Sequence, residues 1–419
     1  LVVARAGQGE RVVVDPAELD PSGRTTLDMW RPSWSGGLLA YQVSSRGSED
    51  PVLHVVDVAD GRPVCPPVRP GRATAVAWLP RDAGFYYATC PADDDRQVRL
   101  RLPGSGEDVA VFTTDARQLS VSTSADGRRL AVGSAPGVQC GNRVHLADLT
   151  AATTRSPGFR LVHDGTATGV QALVRFGPRG LLYGIITDRA SGGRVCLVDP
   201  ARPHTSAWAP LITLGEGEVL SGCAALVEPA TGGVEAVRFL VSSVRRGVAR
   251  LSLHDGEGRL LTGVDTPGTD HGTITRLTAP PGDADEAWFT YTDFVTPPTV
   301  HRFSLRDRRC RADTPPGVPS DTSPGAPPAD PPRHERPRVV VRQVTYPSQD
   351  GTDVPLFLIA PADRDPGPRP TLLTAYGGFG ATAAPAYSPT ILAWVAAGGV
   401  YAIAGVRGGG ELGAAWHAA

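Results

Sequence analysis

Six cysteines and nine histidines are the side chains best suited to thiol or metal chemistry, and their spacing argues against both. Cys65, Cys90, Cys140, Cys196, Cys223 and Cys310 lie tens of residues apart with no C-x-x-C pair, so zinc-site spacing is absent. A disulfide framework is not expected in a chain this long, and no signal peptide is evident. Small buried thiols in a reducing, cytoplasmic setting are the simpler reading. His54, His145, His254 and His301 each sit in a separate apolar segment, and no metal is expected on them. No G-x-S-x-G nucleophile elbow occurs, so no serine is placed on a sharp strand-to-helix turn. Two glycine loops remain, Tyr376-Gly377-Gly378-Phe379-Gly380 and Arg407-Gly408-Gly409-Gly410-Glu411, each following an apolar run.

The elements that carry these residues begin with a repeat. Gly 49 and Pro 40 in 419 residues are roughly double the ordinary combined usage of about 12%, which favours turns and short strands over long helices. An apolar strand, a turn, a second strand, a loop and a third strand recur. Residues of the second strands fall at Tyr41, Tyr87, Val132, Tyr183, Val241 and Tyr291, separated by 46, 45, 51, 58 and 50 residues. That period predicts a β-propeller, because a four-stranded sheet cannot bury both faces alone but can do so between neighbouring blades. Six copies are clear, and a seventh is expected in diverged sequence such as residues 207–220. Trp34, Trp78, Tyr41 and Tyr87 are expected in the core between blades, and the four histidines on third strands.

Charge nearly cancels, with 41 basic and 43 acidic residues, so no basic field for nucleic acid exists. No apolar run reaches the ~18 residues of a membrane span. Every basic residue is Arg, and Asn142 is the single asparagine. This is codon usage of a GC-rich genome rather than mechanism.

Residues 314–337 are Pro-rich without apolar periodicity and read as a linker. Beyond it the pattern changes. Strands at 339–346 and 354–360 around Ser348-Gln349-Asp350-Gly351 form a hairpin. A buried strand spans 371–375, a helix 388–397, and a continuous apolar run 399–406 marks a central strand. That order opens an α/β sheet. The run 400–406 is expected to be its unpaired, exposed edge, prone to aggregation.

Taken together, Ser348-Gln349-Asp350-Gly351-Thr352, Tyr376-Gly377-Gly378-Phe379-Gly380, Arg407-Gly408-Gly409-Gly410-Glu411-Leu412-Gly413 and Trp416-His417 resemble the prolyl oligopeptidase family of serine peptidases. Val12-Val13-Val14-Asp15-Pro16 is similar to the stretch leading into that family's first blade. The resemblance implies an all-β seven-bladed β-propeller followed by the N-terminal part of an α/β-hydrolase domain. The expected division is a lead-in at 1–29, a propeller at 30–311, a linker at 312–337 and a partial hydrolase domain at 338–419. It also implies a Ser-Asp-His triad that cleaves short peptides, after proline or in sister branches after other residues, through an acyl-enzyme and without cofactor or metal. By the same resemblance Tyr376 donates its hydroxyl to the oxyanion and Phe379 lines the substrate pocket. Gly377 and Gly378 permit the sharp turn beside the peptide, while Arg407 and Glu411 hold the glycine loop. Cys140 matches, through a gapped alignment, a pocket-facing propeller cysteine of some relatives.

In the family the nucleophile follows the Arg-Gly-Gly-Gly-Glu loop. The triad is therefore expected beyond residue 419, and His417 is not its histidine. The family's helical N-terminal extension is expected before Leu1. The expectation is a piece of a monomeric, cytoplasmic peptidase, inactive alone. The alternative is a truncated propeller kept as a peptide- or protein-binding module.

Overall fold

In central strands such as Leu38–Ser45 and Phe85–Thr89, successive residues are apolar on both faces, so such a sheet needs a neighbour on either side. The computed structural model describes residues 2–3, 11–48, 50–71, 74–89, 95–104, 106–137, 141–150, 153–187, 192–231, 234–313, 338–363 and 367–419. Cys90, Cys140 and the expected linker at 314–337 lie outside them. Six antiparallel sheets, each running strand to next strand in chain order, fill the repeat region among the described residues. The first holds Thr25–Pro32, Leu38–Ser45 and Val52–Asp57, with Val68 and Pro63 bridging Leu53 and Val56 where a fourth strand would lie. The second holds Val76–Trp78, Phe85–Thr89, Arg96–Leu102 and Glu107–Thr114. The third holds Gln118–Thr123, Arg129–Ala135, Arg143–Asp148 and Arg160–Asp164. The fourth holds Gln171–Phe176, Leu182–Thr187, Arg194–Leu197 and Ala209–Thr213. The fifth holds Glu218–Thr231, Val234–Arg245, Val248–His254 and Leu260–Val264. The sixth holds Gly272–Thr278, Glu286–Asp293, Thr299–Ser304 and Arg309–Ala312.

This is the blade pattern that the period predicts. Residues 207–220 do not form a further blade: Ala209–Thr213 is the outer strand of the fourth sheet, and Leu220 lies in the first strand of the fifth. The first sheet also starts earlier than the expected boundary at residue 30, with the strand from Thr25.

The chain divides into two compact units, Leu1–Ile186 with Cys196–Ala209, and Thr187–Val195 with Pro210–Ala419. In the first unit, strand Phe85–Thr89 shows how stacking works. Phe85 and Tyr87 pack with Ala40, Leu53 and Val55 of the first sheet. Tyr86, on the opposite face, packs with Leu130 and Val132 of the third. Burying each such ring contributes about 1.5–3 kcal/mol, and the polar tips stay satisfied: Tyr86 donates to the Thr154 carbonyl at 2.9 Å and Tyr87 to Asp108 Oδ2 at 2.7 Å. Trp78 is buried as expected, but Trp34 is 39% exposed. Trp34 sits in the turn after Thr25–Pro32, where its indole N–H donates to the Trp78 carbonyl at 2.7 Å. In the second unit, Leu240, Leu251 and Leu253 of the fifth sheet pack against Phe289, Tyr291 and Phe303 of the sixth.

Arginine occupies turn positions where asparagine is usual. The two-residue hairpin Arg246-Gly247 has φ of 51° and 81°, the conformation that a type I′ turn demands. With one asparagine in the chain, arginine fills the first place and glycine the second.

The residues after 338 form a mixed sheet in the second unit. Val339–Pro347 pairs antiparallel with Asp353–Pro361, which pairs antiparallel with Val400–Ala404, which pairs in parallel with Thr371–Ala375. Helix Pro389–Ala396 makes the crossover, capped by Ser388 and buried through Leu392 and Val395. The expected open edge is thereby corrected. Val400–Ala404 is an interior strand, and the outer position belongs to Thr371–Ala375, whose Leu372 and Leu373 are 47% and 70% exposed. The crossover brings the later strand inside the earlier one, a placement that chain order does not reveal. No helix among the described residues is long and apolar enough to cross a membrane.

The third-strand histidines pair across to second strands, His54 with Tyr41, His145 with Val132, His254 with Phe239 and His301 with Phe289. His54 stacks on Tyr41 at 5.1 Å and His301 on Phe289 at 5.8 Å. No group of three or more His, Cys, Asp or Glu among the described residues is placed to hold a metal ion. Burial pushes His54, His145 and His301 below the ordinary imidazole value. The unfolded chain then takes up these protons at higher pH than the native one, so stability falls as pH drops below about 6.5. Thermal unfolding should show a midpoint that declines from pH 7 to pH 5, with a shallower decline in His54→Phe and His301→Phe. Identical slopes in wild type and variants would contradict this.

Candidate active site

Parallel pairing sets the site. Thr371 lies opposite Val400 and Ala375 opposite Ala404, so both strands end level and release their loops side by side. The C-terminal ends of parallel strands are where open α/β sheets form crevices. Tyr376–Gly380 leaves one strand and Gly405–Glu411 the other.

The two loops pack backbone against backbone, which explains their glycines. A Cβ on Gly408, where φ is 89°, would lie 2.2 Å from the Gly377 carbonyl oxygen. One on Gly377, where φ is 61°, would lie 2.5 Å from Val406 Cγ2 and 2.9 Å from the Arg407 carbonyl oxygen. One on Gly410 would lie 2.4 Å from the Gly380 carbonyl oxygen. Such approaches leave no room for any side chain. The Gly380 amide donates to the Gly408 carbonyl at 2.9 Å, and that carbonyl also accepts from His417 Nδ1 at 2.7 Å. Since a carbonyl can only accept, Nδ1 carries the proton. Trp416 Nε1 donates to the Gly405 carbonyl at 3.1 Å. Trp416 and His417 thus close the second loop from beneath.

Glu411 lies under both loops at 3% exposure. Its Oε1 accepts from the Ala383 amide at 2.7 Å, and a Cβ on Gly409 would come within 2.3 Å of its Oε2. The carboxylate therefore fastens the chain leaving the first loop to the floor of the second. Arg407 reaches a third motif: Arg407 Nη1 and Asp350 Oδ2 are 2.5 Å apart. The Thr352 amide and the Arg407 guanidinium hold the Asp350 carboxyl down to about 2. The hairpin turn Ser348–Thr352 and the loop at 407, distant in sequence, are one cluster in space.

Tyr376 and Phe379 stand at the surface of this cluster, 68% and 71% exposed. Phe379 has φ of 53°, a left-handed conformation that costs a bulky residue of order 1–3 kcal/mol. The strain sits on the residue that the surrounding glycine contacts force into the turn. Of the candidates read from sequence, Tyr376, Gly377, Gly378, Phe379, Arg407 and Glu411 come together here. Ala383, the partner of Glu411, has no polar side chain and left no signal in the sequence.

A family model described as the N-terminal beta-propeller domain of prolyl oligopeptidase matches residues 2–312. A prolyl endopeptidase of Elizabethkingia miricola is 25% identical over 423 residues, covering 97% of this chain and 55% of that protein. An uncharacterized peptidase of Sinorhizobium fredii is 50% identical over 72 residues, 17% of this chain and 10% of that protein. A solved structure from a structural and mechanistic analysis of two prolyl endopeptidases has a TM-score of 0.81 at 26% identity, over 98% of this chain and 58% of that one. The chain spans about half the length of the curated relatives it matches over nearly all its residues.

The glycine contacts make a ranked prediction. Gly408→Ala should destabilise by about 2 kcal/mol or more, because both φ and the Gly377 carbonyl oppose it. Gly351→Ala, where φ is 81° but nothing lies within 4 Å, should cost only about 1 kcal/mol. Denaturant unfolding of the two variants checks this, and equal losses would refute backbone packing as the reason for Gly408.

Proposed function

The chain belongs to the prolyl oligopeptidase family, and on that premise we propose that it forms the propeller and the opening of the α/β-hydrolase domain of a serine peptidase. The reaction is hydrolysis of short peptides after proline through an acyl-enzyme. The prolyl endopeptidase relative supports the residue preference. One observation carries the assignment: the glycine loops present Tyr376 at the end of a parallel strand, locked by backbone contacts on both sides.

Serine attack on a peptide carbonyl puts negative charge on its oxygen, and a pre-placed donor lowers that barrier. The Tyr376 hydroxyl is this donor. The serine, the histidine that takes its proton and the aspartate that orients the histidine belong to the enzyme outside these residues. Phe379 lines the pocket for the residue preceding the scissile bond. Its left-handed backbone sets the direction in which the side chain leaves the loop. Asp350, Arg407 and Glu411 act on the loop rather than on substrate. We place the enzyme in the cytoplasm as a monomer needing no cofactor, metal or nucleic acid.

A fluorophosphonate serine-hydrolase probe should label a version extended through the downstream reading frame and leave the 419-residue chain unlabelled. In the extended enzyme, Tyr376→Phe should lower kcat by about 10²–10³ with KM little changed. Labelling of the 419-residue chain would place the nucleophile within it. An unlabelled extended form would favour a binding module instead.

A further inference from the structure

The segment between the first glycine loop and helix Pro389–Ala396 is held from the propeller. Residues 381–387 form neither helix nor strand, so their backbone groups need partners from elsewhere. Glu411 takes the Ala383 amide. The next two contacts come from the sixth blade. Thr273 Oγ1 donates to the carbonyl of the buried Pro385 at 2.6 Å, and the Tyr387 amide donates to Thr292 Oγ1 at 3.3 Å. Thr292 Oγ1 in turn donates to the Thr296 carbonyl at 2.9 Å, which fixes its lone pairs toward Tyr387.

Thr273 and Thr292 are direct cross-strand partners in the sixth sheet. One hydroxyl gives and the other accepts, at strap positions two residues apart. Two side chains thus imitate the ladder that a further strand would make. Apolar contacts beside them make the junction firm: Phe294 and Phe357 meet edge to face at 5.5 Å and share a buried cluster with Ile359 and Val395.

We propose that Thr273 and Thr292 are positioning residues for the oxyanion donor, a clamp by which the propeller's sixth blade sets the strap and, through it, the Tyr376 loop. The proposal rests on the peptidase reading for its catalytic consequence, but the clamp itself does not. The route is continuous: Thr273 and Thr292 hold 385 and 387, Glu411 holds 383, and the Gly380 amide is tied to Gly408. A donor displaced by about 1 Å loses much of its effect on the developing charge, so slack in the strap reaches the chemistry without altering the substrate pocket.

Two measurements test this separately. Hydrogen–deuterium exchange of the 419-residue chain should rise about tenfold at residues 376–388 in Thr273→Val/Thr292→Val. It should return to the wild-type level in Thr273→Ser/Thr292→Ser, which keeps both hydroxyls. Wild-type protection in the valine variant, or failure of serine to restore it, overturns the clamp. In the extended enzyme the valine variant should lose about 10–100-fold in kcat with KM for a short peptide nearly unchanged, and serine should restore it. Unchanged kcat despite faster exchange overturns the positioning role. An inactive extended wild type defeats the peptidase reading alone and leaves the exchange result to decide the clamp.

Discussion

One backbone contact, the Gly377 carbonyl against the α-carbon of Gly408, determines the rest of the C-terminal cluster. Two parallel strands that end level deliver two loops to the same place. They can share it only if neither brings a side chain. Glycine is therefore required on both sides, and the chain must turn through left-handed conformations to leave. Tyr376 gains its fixed position this way. It is exposed, so packing around its ring cannot hold it; its backbone is held instead. The same constraint forces Phe379 to accept a strained φ.

The relative weight of the contacts follows from their surroundings. The Asp350–Arg407 pair joins two motifs, but both partners are solvent-accessible, at 48% and 35% of their side chains. Such pairs are screened and contribute little to stability. Glu411 is nearly fully buried; its Oε1 accepts the Ala383 amide while its Oε2 has no hydrogen-bond partner among the described residues, so it orders the chain at a desolvation cost. Backbone exclusion dominates, while Glu411 and the ion pair add register among the hairpin turn, the loops and the chain at Ala383. In the blades, ring packing between sheets plays the corresponding part, as at Phe85–Thr89, which is buried on two faces.

Much of this was legible in the sequence, for identifiable reasons. The period of the second strands at Tyr41, Tyr87, Val132, Tyr183, Val241 and Tyr291 found the blades, because stacking sheets imposes one composition on every unit. The helix after Ser388 announced itself by its apolar spacing. The two glycine loops stood out because close backbone approach tolerates nothing else. Strand order did not show: an apolar run such as 400–406 marks a buried strand but not which neighbours bury it. Trp34 was misplaced because an indole that caps a turn has the same composition as one that fills a core. Residues 207–220 carry strand-forming sequence, yet it was already divided between two sheets. Ala383, Thr273 and Thr292 act through backbone groups or at large sequence separation, and such partners leave no local pattern.

The central claim is that this backbone-locked loop aims the Tyr376 hydroxyl at the reacting carbonyl oxygen. The most direct measurement is a crystal structure of the extended enzyme carrying a peptidyl-prolinal, whose aldehyde carbon bonds the serine and whose oxygen stands in for the oxyanion. The account predicts the Tyr376 hydroxyl at about 2.7–3.1 Å from that oxygen, with the Gly377–Gly408 contact unchanged. A hemiacetal oxygen held by other donors, with Tyr376 turned to solvent, would contradict it.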